Sequence, residues 1–136
     1  MAVYTHIGED ELAAFLEGYD LGRPLAFKGI AEGVSNSNYL LETEAGRFIL
    51  TVYEARTNPT DLPYFLGLMR HLAEAGYPSA KPVTGRDGEA LRRLGGKPAA
   101  IATFLQGLSA SRPGVAQCRE AGRGLAWLQV AAQDYA

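Results

Sequence analysis

The residues best suited to chemistry form one short polar run at positions 33–38. In chain order they are Gly33, Val34, Ser35, Asn36, Ser37 and Asn38. Glycine, serine and asparagine favour turns and leave backbone N–H groups free, and their small side chains can hydrogen-bond an anion. The run therefore predicts a loop able to wrap a phosphate. It matches neither the P-loop nor the G-x-G-x-x-G pattern, so a plain connection between two strands is the alternative.

Other side chains that could react are few and scattered. His6 lies near the amino terminus and His71 on a predicted helix, and we expect neither to be catalytic. The single cysteine, Cys118, excludes an internal disulfide and is expected to be a small buried hydrophobic residue. No cysteine and histidine cluster has zinc spacing, and no serine lies in a nucleophile-elbow pattern. We therefore assign no catalytic residue and no metal ligand.

The polar run is expected to join the first two of three antiparallel strands within residues 27–54. Residues 48–53 (FILTVY) place largely apolar side chains on both faces of the two-residue strand period, which suits a strand covered on both sides. Residues 44–47 supply the turn into that strand, where Gly46 can adopt a positive φ. The strands thus hold the polar loop at one end of a sheet.

Two helices are predicted before and after these strands. The first is amphipathic, begins at Glu9 and has Gly22 as its carboxyl-terminal cap. The second begins within residues 58–63 (NPTDLP) and ends at Gly76. Its apolar stripe consists of Leu62, Phe65, Leu66, Met69, Leu72 and Ala73.

Further strands are predicted at residues 81–84, 89–94 and 97–105, and the last is apolar enough to be central in a sheet. A final helix spans about residues 113–132. The order of elements predicts an α+β fold, with an antiparallel sheet of about five strands and one long helix after the third.

The final helix is apolar on more than one face. Its apolar residues include Leu125, Trp127, Leu128 and Val130. Such a helix expects burial on several sides, and residues 133–136 offer no further element to cover it. We therefore expect either that the chain is a truncated piece of a longer protein or that another chain covers the helix, through self-association for instance.

Composition argues against several classes of function. The 136 residues suit one domain, and 47% hydrophobic with 21% charged residues is ordinary globular composition. Thirteen Lys and Arg against fifteen Asp and Glu give a net charge of -2, so no general attraction to nucleic acid or anionic membrane is expected. The sequence has no apolar run of membrane-span length and no signal-peptide pattern. We expect a cytoplasmic protein that binds neither nucleic acid nor membrane.

Five segments, in this order, resemble the amino-terminal lobe of bacterial type II homoserine kinases, which belong to the superfamily that includes choline kinase and aminoglycoside phosphotransferases. They are LAFKGIAEGVSNSNYLLET, GRFILTVYE, DLPYFLGLMRHLAEAGYP, KPVTGRDGEALRRLGGKPAAIATFLQG and CREAGRGLAWLQ. Together they span about residues 25–129. The resemblance implies a kinase-like nucleotide-binding lobe at 1–105, an inter-lobe linker at 106–112 and the first helix of a second lobe at 113–136.

The resemblance also implies an activity: transfer of the γ-phosphate of ATP, with Mg²⁺, to the hydroxyl of L-homoserine in threonine biosynthesis. Residues 33–38 would be the loop over the phosphates. Ile49 would pack on the adenine. The hinge, whose backbone groups would bind the adenine edge, would be Thr103, Phe104 and Leu105.

Two positions depart from the protein-kinase pattern. Thr51 stands where protein kinases place a phosphate-contacting lysine, and a threonine supplies no positive charge. Residues 66–69 (LGLM) occupy the helical turn where an inward glutamate would lie, so the lysine–glutamate ion pair is expected to be absent. Lys28 on the first strand is a candidate for the missing charge, and a solvent-exposed strand lysine is the alternative.

The sequence lacks the family's catalytic His-Gly-Asp loop and its metal-binding Asp-Phe segment. Phosphoryl transfer needs a carboxylate to position the acceptor hydroxyl and metal ions to neutralise charge. We therefore expect the 136-residue chain to be inactive alone, with the Mg²⁺ ligands beyond its end. The alternatives are a different acceptor alcohol or an aminoglycoside, a complete small binding module, and a nucleotide-binding pseudoenzyme.

Overall fold

An antiparallel sheet of five strands organises residues 5–31 and 33–136, which are the residues described by the computed structural model. The elements are α1 (Glu9–Leu16), β1 (Pro24–Gly29), β2 (Ser37–Thr43), β3 (Gly46–Val52), α2 (Leu62–Glu74), β4 (Arg92–Leu94), β5 (Lys97–Thr103) and α3 (Val115–Ala131). The strand order is β1-β2-β3-β5-β4, with every neighbouring pair antiparallel. The expected α+β fold with one long helix after the third strand is confirmed.

One face of the sheet is covered from β2 to β4 by α1 and the segment that follows it. Because side chains alternate along a strand, Leu41, Leu50 and Ile101 all point to this face, and none of them is exposed. The helical and adjoining residues packed against them are Leu12, Phe15, Leu16, Tyr19 and Leu21. This face holds the larger hydrophobic core.

The other face is covered over only part of its width. Leu66 of α2 packs with Ala90 and with Ala100 of β5, forming a second, smaller core on the β5 side. The cross-strand neighbours Leu40, Ile49 and Ala102 on the same face are half-buried. The interpretation of β3 as covered on both sides is therefore wrong for this face, part of which is open.

Helix α2 begins and ends through local hydrogen bonds. A 3₁₀ turn, Pro59–Asp61, precedes it, and the Asn58 side chain accepts hydrogen bonds from the Thr60 N–H at 3.2 Å and hydroxyl at 2.9 Å. At the other end Gly76 has φ +86°, and the Tyr77 N–H donates to the Leu72 carbonyl at 3.0 Å. The predicted start and end are confirmed.

Several predicted details are wrong. Helix α1 ends at Leu16, so Gly22 does not cap it, although its φ is +75°. Among the described residues, positions 81–84 form a single isolated bridge, between Pro82 and Ala102, rather than a strand. Phe65 is 51% exposed and lies outside the buried stripe of α2.

Other boundaries also differ. Strand β4 is three residues long rather than six, and β5 ends at Thr103 rather than residue 105. Strand β2 already begins at Ser37, so the last two residues of the polar run belong to a strand.

Helix α3 has no buried residue. It contacts the end of α2 through Tyr77, whose ring meets Trp127 edge-on at 5.1 Å and whose hydroxyl donates to the Gly124 carbonyl at 3.2 Å. Cys118 is exposed, so the prediction of a buried cysteine is wrong. None of the helices in the described ranges combines the length and apolar character that a membrane span requires.

Candidate functional site

The polar loop lies at one end of the sheet, between β1 and β2. The Ile30 N–H donates to the Asn38 carbonyl at 2.8 Å and closes the base of the loop. Gly33 has φ +111°, and a Cβ added there would lie 3.3 Å from Asn38 Nδ2. Positive φ and close approach both favour glycine at this position. Ser35 lies exposed at the outer side of the loop.

Thr51 acts on the loop through Asn38. The two residues are cross-strand partners, and the Thr51 hydroxyl donates to Asn38 Oδ1 at 2.8 Å. With its oxygen held by Thr51, the amide keeps Nδ2 beside Gly33. Thr51 therefore orients a hydrogen-bond donor under the loop without adding positive charge.

The side chains of Asn36 and Ser37 are engaged within the protein, which differs from their expected role toward an anion. Ser37 is fully buried, and its hydroxyl donates to Glu54 Oε1 at 2.7 Å. Asn36 Oδ1 accepts from the Glu54 N–H and the Thr57 hydroxyl, both at 3.1 Å. These two residues support the loop from below.

Glu54, just after β3, is the centre of this support. Its side chain is 11% exposed and accepts from the Lys97 ammonium at 2.5 Å and from the Thr5 hydroxyl at 2.6 Å. Burial alone would raise the pKa of Glu54, but hydrogen bonds from Lys97, Thr5 and Ser37 outweigh it, so the pKa lies below its ordinary value. Glu54 is therefore an ionised, nearly buried carboxylate.

Sequence reasoning missed this cluster. Lys97 and Glu54 are 43 residues apart, and Thr5 is 49 residues from Glu54. The available signal was a glutamate directly after an apolar strand, because a charge in such a position needs a partner if it is buried. The partner itself could not be read from the sequence.

The predicted hinge, residues 103–105, lies at the carboxyl-terminal end of β5. This is the end of the sheet opposite the polar loop. Thr103 pairs with Phe48, three residues along β3 from Thr51, which is about 10 Å at strand spacing. The Thr103 N–H donates to the Lys81 carbonyl at 3.0 Å, and the Phe104 N–H to the Arg47 carbonyl at 3.4 Å.

Leu105 is the most accessible of the three hinge residues, with 51% of its surface exposed. It has no hydrogen-bond partner in the described part of the chain. Ile49 lies between loop and hinge on the open face, and Lys28 is exposed on that face as the cross-strand partner of Leu40. Loop and hinge thus border one open face at its two ends.

The sequence predicted no metal ligand and no catalytic histidine, and the described residues can be compared with both predictions. Those residues contain no group of three or more His, Cys, Asp or Glu side chains able to hold a metal ion. His71 Nε2 lies 3.0 Å from the Ala131 carbonyl and 2.9 Å from Asp134 Oδ1, at the contact between α2 and the end of α3. His6 is exposed.

Comparison with known proteins decides the family. The phosphotransferase enzyme family matches residues 26–135. The chain belongs to the phosphotransferase enzyme family. Its resemblance to homoserine kinases is confirmed at the level of sequence by curated relatives.

This phosphotransferase chain is 67% identical over 135 residues to a homoserine kinase of a Caulobacter species. It is 65% identical to that of Caulobacter vibrioides and 59% identical to that of Hyphomonas neptunium. In each case 99% of the chain is covered, but only 42%, 43% and 41% of the relative. The chain therefore spans less than half the length of these relatives.

Solved structures share the phosphotransferase fold. An amicoumacin kinase in complex with AMP-PNP, Ca²⁺ and Ami matches with a TM-score of 0.62 and 19% identity, over 75% of this chain and 32% of that one. A putative aminoglycoside phosphotransferase of Ralstonia eutropha matches with a TM-score of 0.57 and 20% identity, over 81% and 32%. The chain has the small-lobe fold of kinase-like phosphotransferases.

Proposed function

We propose that the protein containing this chain is a homoserine kinase that transfers the γ-phosphate of ATP to the hydroxyl of L-homoserine. The observation that carries the proposal is the 67% identity to a homoserine kinase over 135 residues. The arrangement of a turn-rich loop and an open apolar face at the end of one sheet fits a nucleotide.

Within that proposal, Gly33, Val34 and Ser35 lie over the phosphates, and the Asn38 amide donates from below. The adenine lies on Ile49. Since the hinge contacts run through backbone groups, we place the adenine edge against residues 103–105, with the Leu105 N–H as donor. Thr51 contributes by holding Asn38.

A divalent cation is part of the proposed reaction, because metal ions neutralise charge on the phosphoryl oxygens. The amicoumacin kinase complex with AMP-PNP and Ca²⁺ supports ATP and a divalent metal, for which we propose Mg²⁺. The described residues contain no group of three or more His, Cys, Asp or Glu side chains able to hold this cation.

We further propose a nucleotide-binding lobe at residues 1–105, a linker at 106–112 and the start of a second lobe at 113–136. The 136-residue chain alone would then bind part of a nucleotide without catalysing transfer. Its location in the cytoplasm stays a prediction.

The test uses the protein expressed from its complete gene. Incubation with Mg²⁺, ATP and either L-homoserine, choline or an aminoglycoside should give a phosphorylated product with homoserine, detected by mass spectrometry. Phosphorylation of another acceptor instead would contradict the assignment of substrate. A protein that does not bind ATP would contradict the assignment as a kinase. The 136-residue chain should give no product.

Lys28 has its own test. If it supplies positive charge to the phosphates, Lys28→Ala should weaken the apparent ATP affinity, more so at low salt, because exposed charges are screened. Arg93→Ala, an exposed charge on β4, is the matched control. Unchanged ATP affinity in Lys28→Ala would contradict this role.

A further inference from the structure

Glu54 contacts the polar loop at two successive residues. Its N–H donates to Asn36 Oδ1 at 3.1 Å, and its Oε1 accepts from the Ser37 hydroxyl at 2.7 Å. These residues directly follow the exposed part of the loop, residues 33–35. The main chain and the side chain of one residue just after β3 therefore each hold a side chain in the loop's second half.

Glu54 is itself held by two further segments. Lys97, at the start of β5, donates to Glu54 Oε2 at 2.5 Å and to the Thr5 hydroxyl at 2.7 Å. The Thr5 N–H donates to Ser37 Oγ at 3.1 Å, and the Thr5 carbonyl accepts from the Tyr39 hydroxyl. Thr5, Ser37, Glu54 and Lys97, here called the clasp, join four separate parts of the chain.

The clasp contacts the loop on the buried face of the sheet, opposite the open face. Ser37 is the cross-strand partner of Val52, and both are fully buried on the α1 side of the sheet. Asn38 and Thr51 form the next cross-strand pair, and their side chains point to the other face of the sheet. The loop is thus fixed from behind, while the face that carries Ile49 stays open.

We propose that Glu54 is a positioning residue, which preorganises the loop to bind the phosphates of a nucleotide. The inference rests on the proposed function. A loop of glycine, serine and asparagine loses much conformational freedom when it orders around an anion, and prior anchoring lowers that cost. Hydrogen bonds to a carboxylate are stronger than neutral ones. The Lys97 ammonium balances the carboxylate, so the anchor adds little repulsion toward a phosphate.

The test removes the Ser37 hydroxyl, which donates to Glu54 and accepts from the Thr5 N–H. Ser37→Ala deletes the donor to Glu54. Thr43→Val is the matched control, because Thr43 is also buried, at the other end of β2, and in the described part of the chain its hydroxyl accepts from the Ala45 N–H at 3.1 Å. Calorimetric titration of the protein from the complete gene measures the Kd of ATP and of adenosine. Ser37→Ala should raise the Kd of ATP about fivefold, the equivalent of one net hydrogen bond.

The two ligands separate positioning from general damage. In Ser37→Ala the Kd of adenosine should stay unchanged, and in Thr43→Val neither Kd should change, although both variants lose stability. Glu54→Gln, which keeps an acceptor for Ser37, should retain more ATP affinity than Glu54→Ala. The comparison of Glu54→Gln with Glu54→Ala also tests the proposal if Ser37→Ala does not fold.

Equal ATP affinity in Ser37→Ala and the wild type, or an equal loss for ATP and adenosine, would overturn the positioning role. A wild-type protein that phosphorylates homoserine while Ser37→Ala is unaffected would leave the proposed function intact. A wild type that binds no ATP would overturn both.

Discussion

Thr51 and Glu54 lie three residues apart at the end of β3 and act on the polar loop from its two sides. Thr51 holds the Asn38 amide on the open face, and Glu54 holds Ser37 on the buried face. Neither residue adds positive charge to the site. At the scale of single residues, the loop is thus positioned by hydrogen bonds to side chains outside it.

Replacing Thr51 by valine should weaken nucleotide binding with little loss of stability. Thr51→Val keeps the shape of the side chain but removes the hydroxyl, so the Asn38 amide is free to turn away from the loop. We expect the Kd of ATP to rise about threefold to fivefold, since one net hydrogen bond contributes about 1 kcal/mol. Thr51→Ser keeps the hydroxyl and is the control. If Thr51→Val binds ATP like the wild type, the orienting role is wrong.

Glu54 should make stability depend on pH. Its pKa in the folded protein lies below its ordinary value of 4.5, so the unfolded chain binds protons more readily. The contribution of Glu54 is therefore present above about pH 4.5 and is lost as the pH falls through the lowered pKa. Urea unfolding measured from pH 7 to pH 3 should show that the free energy of unfolding falls less on acidification in Glu54→Gln than in the wild type. An identical pH dependence in both proteins would argue against an ionised Glu54.

Helix α2 owes its length to hydrogen bonds at both ends and its position to only part of its predicted apolar stripe. Leu62, Leu66 and Leu72 are buried, while Phe65 lies beside Tyr64 near solvent. Because the helix covers the β5 side of the sheet, the neighbouring face of β2 and β3 remains open. The placement of this one element therefore decides which part of that face is covered.

Gly76 should be required for the end of α2. Gly76→Ala is expected to destabilise the protein by about 1 kcal/mol, because φ +86° strains any residue with a Cβ, although no atom lies within 4 Å of the added methyl group. Gly107→Ala, at a position equally free of nearby atoms, is the matched control and should cost less. Urea unfolding measures both. Equal effects would show that the positive φ is not the cause.

At the scale of the whole molecule, α3 is a 17-residue helix with no buried residue. Leu125, Trp127 and Val130 are 59%, 47% and 64% exposed. The chain corresponds to 42% of the length of a homoserine kinase to which it is 67% identical. We expect these side chains to be covered by the rest of the phosphotransferase when that part is present.

The isolated 136-residue chain should therefore self-associate. Sedimentation should reveal concentration-dependent association, since exposed apolar patches drive it. The double change Leu125→Glu and Val130→Glu should reduce it, whereas Gln129→Glu, which adds charge at an exposed polar position of α3, should have less effect. A chain that remains monomeric at high concentration would contradict this view. A single stoichiometric assembly would favour a complete binding module.

Much of the fold could be predicted from local pattern. Strand alternation in residues 48–53, the proline and asparagine before α2 and the glycine at its end are short-range signals, because they depend on backbone geometry within a few residues. The family resemblance likewise followed from five ordered segments. Boundaries such as the start of β2 could not be predicted from local pattern, since strand ends depend on pairing with a partner strand.

By itself, the sequence determined the elements, their order and the turn-rich character of the loop, because those properties come from residue type and local spacing. Only the tertiary structure decided that Ser37 is buried, that Thr51 holds Asn38 and that Lys97 meets Glu54 across 43 residues. These contacts depend on strand register and on segments far apart in the chain. They form where folding brings polar groups out of water and each must find a partner.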